Sequence, residues 1–309
     1  MVLFPQARRA VEAAAGQPRV FEAGFDIAAA RLEARRLAAA QPREDVSEVL
    51  DVDAGGVPCR LYRPAGARPG VVVHVHGGGF VMHDVDVHDA VARRLADRSR
   101  TAVLSVDYRR PPEHPFPAAP DDVSTALAWL QEQAARPGDP LGVAGPTYGH
   151  GDSAGANLAL VAALRHPGRF TALALIYPFL DPTASFDSYA TAADGFDARE
   201  AAWYWEQYAA TPADLEHPDL APLRSEGLGA LPPTLVVTAE HDPLRDEGEE
   251  LARRLAAEGV AVVATRYLGQ VHGFWRHVDV FDAAEPLMRQ VAAFLDQHRP
   301  DQHRPDQHR

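Results

Sequence analysis

Gly151-Asp152-Ser153-Ala154-Gly155 runs directly into the apolar helical stretch 157–164, a junction with the small residues that a sharp strand-to-helix turn requires. A chain that turns sharply from strand into helix crowds its own backbone, so small residues must flank the turn. A serine at the apex is then held exposed above a helix N-terminus. As a bare pattern G-x-S-x-G is weak, because small residues around a serine are common in turns. Its weight comes from the surroundings.

On both sides of the junction, short β-branched runs alternate with longer helical patterns, which is how a mostly parallel sheet covered by helices reads in sequence. Eight strands are expected, at 46–52, 59–62, 71–75, 102–106, 141–144, 173–176, 235–238 and 260–267. Apolar residues at three- and four-residue spacing predict helices over 89–98, 118–135, 154–165, 247–258 and 283–297. Those lying between parallel strands are the crossovers such strands require.

Two helical-looking segments fit no strand–helix unit: 1–45, rich in Ala and Arg, and 179–228, which holds Trp203, Tyr204, Trp205 and Tyr208. They are expected to form a lid over the carboxyl edge of the sheet, where open α/β sheets bind ligands; ordinary surface helices are the alternative. The remaining segments, 46–178 and 229–298, make up the α/β domain. Asp-Gln-His-Arg-Pro recurs from Asp296 to the end, with a helix-stopping proline every fifth residue and nothing apolar, so 299–309 is expected to be a disordered tail. Metal capture by His298, His303 and His308 is a weaker reading, since a floppy tail does not pre-form a site.

His76-Gly77-Gly78-Gly79-Phe80 follows directly on the apolar run 71–75. Successive glycines let main-chain N–H groups point at one spot, and in acyl transfer that spot is the developing oxyanion. Gly78 and Gly79 are the candidate donors, with the Ala154 N–H completing the hole, and His76, Gly77 and Asp152 as supporting residues. A plain turn or a phosphate cradle would also use glycines, but no G-x-G-x-x-G or Gly-Lys-Ser/Thr follows.

Asp242 and His272 each sit just past a late candidate strand. A serine hydroxyl is a poor nucleophile until an imidazole takes its proton, and the imidazole needs a carboxylate to fix its tautomer. Ser153, His272 and Asp242 are therefore the expected nucleophile, base and orienting acid. Asp246 and Glu240 compete for the acid's place, but Asp246 precedes a helix that it can cap and Glu240 suits loop support. His74, His76, His83 and His88 raise metal catalysis as a rival, yet three glycines follow where further ligands would be wanted, so no metal is expected.

With these motifs the chain resembles the hormone-sensitive-lipase-like family of bacterial carboxylesterases. The likeness extends through Gly151 to Leu158, His272-Gly273-Phe274, Asp107-Tyr108-Arg109, Pro112 to Ala118 and Asp242-Pro243-Leu244-Arg245-Asp246, covering roughly 46–295. The resemblance implies an α/β-hydrolase fold with an eight-stranded sheet and a two-part helical lid, no cofactor, and hydrolysis of short- to medium-acyl esters through an acyl-serine. A plant hormone receptor group of similar fold has lost catalytic residues, so a small-molecule binder is the alternative; here the triad positions are filled.

One departure stands beside the nucleophile. Leu141-Gly142-Val143-Ala144-Gly145 would lead naturally into Asp152 if 146–151 were absent, so Pro146, Thr147, Tyr148, Gly149, His150 and Gly151 read as an insertion. Either the strand ends at Ala144 and these residues bulge out, or the strand re-registers and displaces Ser153. The first is favoured, because the helix after Ser153 must still pack on the sheet. His150 is then expected to be a loop histidine, and its competition with His272 for the hydroxyl is the weaker reading.

Composition narrows the partners. In 309 residues, 46% of them apolar, there is enough to bury a large core as one domain with a lid. A formal charge of −13 argues against nucleic acid and anionic membranes. The expected partner is a small-molecule ester, and a homodimer is compatible with this reading. Cys59 is the single cysteine, so no internal disulfide forms. With no signal-peptide pattern and no long apolar run, the expected location is the cytoplasm.

Overall fold

The computed structural model describes residues 2–300. Eight strands form one sheet: β1 Glu48–Asp53, β2 Pro58–Arg63, β3 Arg68–Val75, β4 Thr101–Val106, β5 Thr147–Asp152, β6 Ala172–Ile176, β7 Thr234–His241 and β8 Val262–Val271. Their order is β1-β2-β4-β3-β5-β6-β7-β8. β2 runs antiparallel to β1 and β4, and every other pairing is parallel. The chain order reverses at β3, which lies between β4 and β5, so a crevice opens where their carboxyl ends diverge.

Among the described residues nine α-helices accompany the strands: α1 Pro5–Ala14, α2 Ile27–Ala39, α3 Asp89–Ser99, α4 Ala118–Ala134, α5 Ala154–Arg165, α6 Ser188–Thr191, α7 Ala198–Tyr208, α8 Arg245–Ala257 and α9 Ala284–Gln297. Two apolar clusters lie one on each face of the sheet. One gathers Val71, Val73, Leu104, Leu158, Leu175 and Leu251, the other Val72, Leu95, Val103, Ile176, Leu287 and Val291. β3 contributes alternate residues to both, as a strand buried on two faces must.

The region next to Ser153 corrects the sequence reading. Residues 141–144 are not a strand: Gly142 is left-handed (φ +62°), and the Asp139 carboxylate accepts the N–H groups of Val143 and Ala144 at 2.9 Å each. Five of the six residues read as an insertion, Thr147 to Gly151, join Asp152 to form the central strand β5, paired with β3 through Val71↔Thr147 to Val75↔Gly151 and with β6 through Tyr148↔Ala172 to Asp152↔Ile176. Pro146 sits at the mouth of the strand, where its carbonyl accepts the Val71 N–H at 3.0 Å and no N–H of its own is needed. Tyr-Gly-His-Gly has low strand propensity, but pairing on both sides overrides it.

The segments outside the sheet units touch one another. Arg19 bridges Asp197 (2.9 Å) and Glu200 (2.8 Å), the capping box of α7. Phe25 meets Trp203 edge-on at 6.0 Å, and Arg199 lies 3.8 Å from the Phe21 ring. Asn157, buried on α5, donates to Phe179 O (2.8 Å) and Leu220 O (2.9 Å), fastening both ends of the 179–228 segment to the α/β core. Arg299, the first residue of the expected tail, is held instead, donating to Pro69 O and the Thr101 hydroxyl at 2.7 and 2.9 Å. The rest of the repeat from Asp301, with His303 and His308, lies outside the described residues. Among the described residues no helix is long and apolar enough to cross a membrane.

Candidate active site

Ser153 stands between the last residue of β5 and the first of α5, with φ +55° and ψ −122°. Such a backbone is strained for a residue with a side chain, and the surroundings hold it: the Ser153 N–H donates to Ile176 O at 2.8 Å, and its carbonyl accepts from Ala156, Asn157 and Phe179. The flanking glycines are dictated by close approach. A Cβ on Gly151 would lie 2.3 Å from Gly155 O, and one on Gly155 would lie 2.0 Å from Val75 O. The helix can only start this close to β3 and β5 because both positions lack side chains.

The expected triad residues converge. The Ser153 hydroxyl donates to His272 Nε2 at 3.0 Å, and His272 Nδ1 donates to Asp242 Oδ2 at 2.7 Å. Asp242 is fully buried and its other oxygen accepts the Leu244 N–H at 2.9 Å, so the carboxylate is fixed in rotation. Gly273, left-handed at φ +80°, turns the chain sharply after the imidazole. Glu240 supports the preceding loop by accepting the Gly269 N–H at 2.7 Å. Asp246 does not cap α8 with its side chain as expected: it accepts the Ser188 N–H at 2.9 Å and ties α6 down.

The glycine loop is equally ordered. Asp152 Oδ1 accepts the Gly77 N–H at 3.0 Å, and a Cβ on Gly77 would lie 2.6 Å from Asp152 Oδ2. His76 stacks on Tyr108 (centroids 4.2 Å apart), whose hydroxyl donates to His76 O at 2.9 Å. Gly78 and Gly79 take φ +116° and +57°. Among the described residues none supplies an acceptor to the N–H groups of Gly78, Gly79 or Ala154. Gly78 and Gly79 border a cavity of about 180 Å³ that Ser153, His272 and the rings of Phe179, Phe196 and Tyr204 also line. Tyr204 covers Gly79 so closely that a Cβ there would meet its ring at 2.1 Å.

His150 is not a loop histidine. It lies buried on β5, where its Nδ1 faces His74 Nδ1 at 3.0 Å, and His74 Nε2 faces His88 Nδ1 at 3.3 Å. Burial pushes His76 and His150 down to about 3, and His74, His83 and His88 well below the ordinary imidazole range. They are therefore neutral at physiological pH. His74, His88 and Asp152 bring ligand-type atoms within 4.8 Å of one another. The Arg276 guanidinium, 4.0 Å from Asp152, sets a positive charge against any cation there. The sequence marked His83 only within the rival metal cluster and left Arg276 unmarked, yet both line the cavity. Arg276 lies four residues past His272 with no pattern to mark it.

A doubly covered parallel sheet carrying this constellation at its carboxyl edge defines a hydrolase scaffold, and the chain belongs to the α/β-hydrolase fold family, which matches residues 72–276, and within it to the hormone-sensitive-lipase-like branch. It is similar to the carboxylic ester hydrolase LipN of Mycobacterium tuberculosis, 40% identical over 269 residues that span 81% of this chain and 70% of LipN. It is also similar to an ethyl acetate hydrolase of Pseudomonas putida, 34% identical over 258 residues, 80% of each chain. Among solved structures, a hyperthermophilic esterase from the archaeon Pyrobaculum calidifontis matches with a TM-score of 0.85 and 35% identity, covering 96% of this chain and 99% of that one.

Proposed function

We propose that the protein is a serine carboxylesterase that hydrolyses short- to medium-acyl esters through an acyl-serine intermediate. The observation that carries the reading is the unbroken line from the Ser153 hydroxyl through His272 to Asp242, with links of 3.0 and 2.7 Å, opening on a cavity. Ser153 Oγ attacks the ester carbonyl as its proton passes to His272 Nε2. The Asp242 carboxylate stabilises the imidazolium and keeps Nδ1 protonated. Charge on the carbonyl oxygen is met by the Gly78, Gly79 and Ala154 N–H groups, each worth about 3 kcal/mol of barrier. His272 returns the proton to the leaving alcohol, and water repeats the cycle on the acyl-serine.

A cavity of about 180 Å³ is smaller than the several hundred Å³ usual for drug-sized ligands, which supports short acyl groups. The segments 1–45 and 179–228 act as the lid in this reading, since Tyr204 on α7 roofs the glycine loop. A homodimer is compatible with the exposed Val263 and Leu268 on the edge strand β8, and size-exclusion chromatography measures it. Buried, reduced Cys59 suits the cytoplasm. The decisive assay is turnover of 4-nitrophenyl acetate and butyrate by wild type and Ser153→Ala. The variant should lose at least about 10³-fold in kcat, and equal rates would refute the assignment.

A further inference from the structure

The cavity beside Ser153 holds one arginine, Arg276, and its charge is poorly matched by the protein. Its nearest carboxylate oxygen is Asp152 Oδ2 at 4.0 Å, and its Nη1 meets His83 Nδ1 at 3.4 Å. Some arginines elsewhere in the fold pair far more tightly: Arg109 forks onto Asp122 at 2.7–3.0 Å, and Arg98 reaches Glu44, Asp97 and Glu285 at 2.6–2.9 Å. Arg276, with His272 and Phe196, also lines a neighbouring cleft of about 310 Å³, so it borders two cavities.

We propose, on the reading that Ser153 is an esterase nucleophile, that Arg276 and His83 form a carboxylate-binding recess, and that the site takes esters carrying a free carboxylate on a short acyl chain, such as hemi-esters of dicarboxylic acids.

Three observations converge on an anion. Among the described residues Asp152 is the only carboxylate lining this cavity with Arg276, and its Oδ1 accepts the Gly77 N–H while burial pushes the carboxyl up from its ordinary range; in the neighbouring cleft Asp194 pairs with His241 and Glu200 with Arg19. His83 is neutral, and since its Nδ1 accepts from Arg276 its proton sits on Nε2, which makes the ring a second donor in the cavity wall. The twelve-residue helix α5 begins at Ala154 and directs its positive end toward the same space. In a succinate hemi-ester the free carboxylate carbon lies roughly 4 Å from the ester carbon, short enough for both ends to sit in the one cavity that Ser153 and Arg276 line.

The test compares monoethyl succinate with ethyl 4-methylpentanoate, in which an isopropyl group replaces the carboxylate, by titrating the acid released. Wild type should favour monoethyl succinate in kcat/KM by at least about tenfold, the scale of one charge-assisted hydrogen-bonded pair, and rising salt should erode that preference. Arg276→Met should collapse the ratio about 10- to 100-fold. Arg276→Lys should restore part of it, as a point charge without the fork. Equal turnover of the two esters by wild type, or an equal loss on both in Arg276→Met, would overturn the recess and leave Arg276 as a brace for Asp152. Calorimetric binding of the same two esters to Ser153→Ala reads the recess without chemistry, and the hemi-ester should bind about tenfold tighter. Loss of the esterase reading shows separately, as absent turnover of both esters and of 4-nitrophenyl acetate.

Discussion

Asp152 and Gly77 are 75 positions apart in the chain, yet the carboxylate of the first holds the amide of the second at 3.0 Å. The residue before the candidate nucleophile thereby sets the loop that carries the candidate oxyanion donors, so the two halves of the site share one fixed origin. Asp152→Ala releases Gly77 and lets Gly78 and Gly79 drift. A displacement of about 1 Å in such a site costs roughly 10²-fold, and the loss should fall on kcat with KM little changed. Asp152→Asn keeps an acceptor for Gly77 and should lose far less. Steady-state kinetics on a neutral ester separates the two.

Asp242 holds the imidazole tautomer through a 2.7 Å bond. Asp242→Asn preserves volume but offers an amide donor, which favours the wrong tautomer at His272. The expected drop in kcat is about 10⁴-fold, with the melting temperature changed by only a few degrees. A full-activity variant would remove Asp242 from the mechanism.

The glycines around Ser153 should be the least replaceable residues in the fold. Gly155→Ala places a methyl group 2.0 Å from Val75 O, a backbone atom that cannot rotate away. Overpacking of this kind costs about 3 kcal/mol, visible as a lower urea midpoint. Gly259→Ala has open space and strain alone (φ +80°), so it should cost only about 1 kcal/mol.

Stability should fall in mild acid. His74, His76, His83, His88, His150 and His277 are all held below the free imidazole value by burial, with His76, His150 and His277 near 3. Below roughly pH 6.5 the unfolded chain binds protons that the folded chain refuses. Their contribution is therefore intact above that pH and lost progressively as pH falls toward about 3. Replacing His150 by Ala removes one such proton, and the slope of unfolding free energy between pH 5 and 6 should flatten by about 1.4 kcal/mol per pH unit. Denaturant titrations across that range measure it.

Asn157 should matter for stability more than for chemistry. It serves two buried carbonyls, Phe179 O and Leu220 O, and Asn157→Leu leaves both without that donor. About 2 kcal/mol should be lost, read from a lower denaturation midpoint.

Much of this was legible in the chain. Seven of the eight expected strands lie within a few residues of their places, because runs such as Val71 to Val75, β-branched but for His74, and Leu173 to Ile176, apolar throughout, are fully buried. Ser153, Asp242 and His272 were marked by their motifs and by the carboxyl ends of those strands. The strand that failed was β5. Its sequence, Thr-Tyr-Gly-His-Gly-Asp, carries little intrinsic strand signal, whereas Leu-Gly-Val-Ala just before it does. Two forces absent from local sequence decide the matter: ladders on both sides, and the helix α5, which demands glycine at 151. The buried imidazoles were hidden for the same reason, since His74 and His150 become neighbours only when β3 and β5 pair. Arg276 carried no pattern, because a charge earns its meaning from the cavity it faces.

The pieces of the site hang from the ends of β3, β5, β7 and β8, and the bond from Ser153 to His272 spans 119 positions. Since β8 is the last strand of the described residues and lies at the sheet's margin, the imidazole reaches the hydroxyl only once β8 has docked on β7. Recovered turnover during refolding thus times the docking of that edge strand.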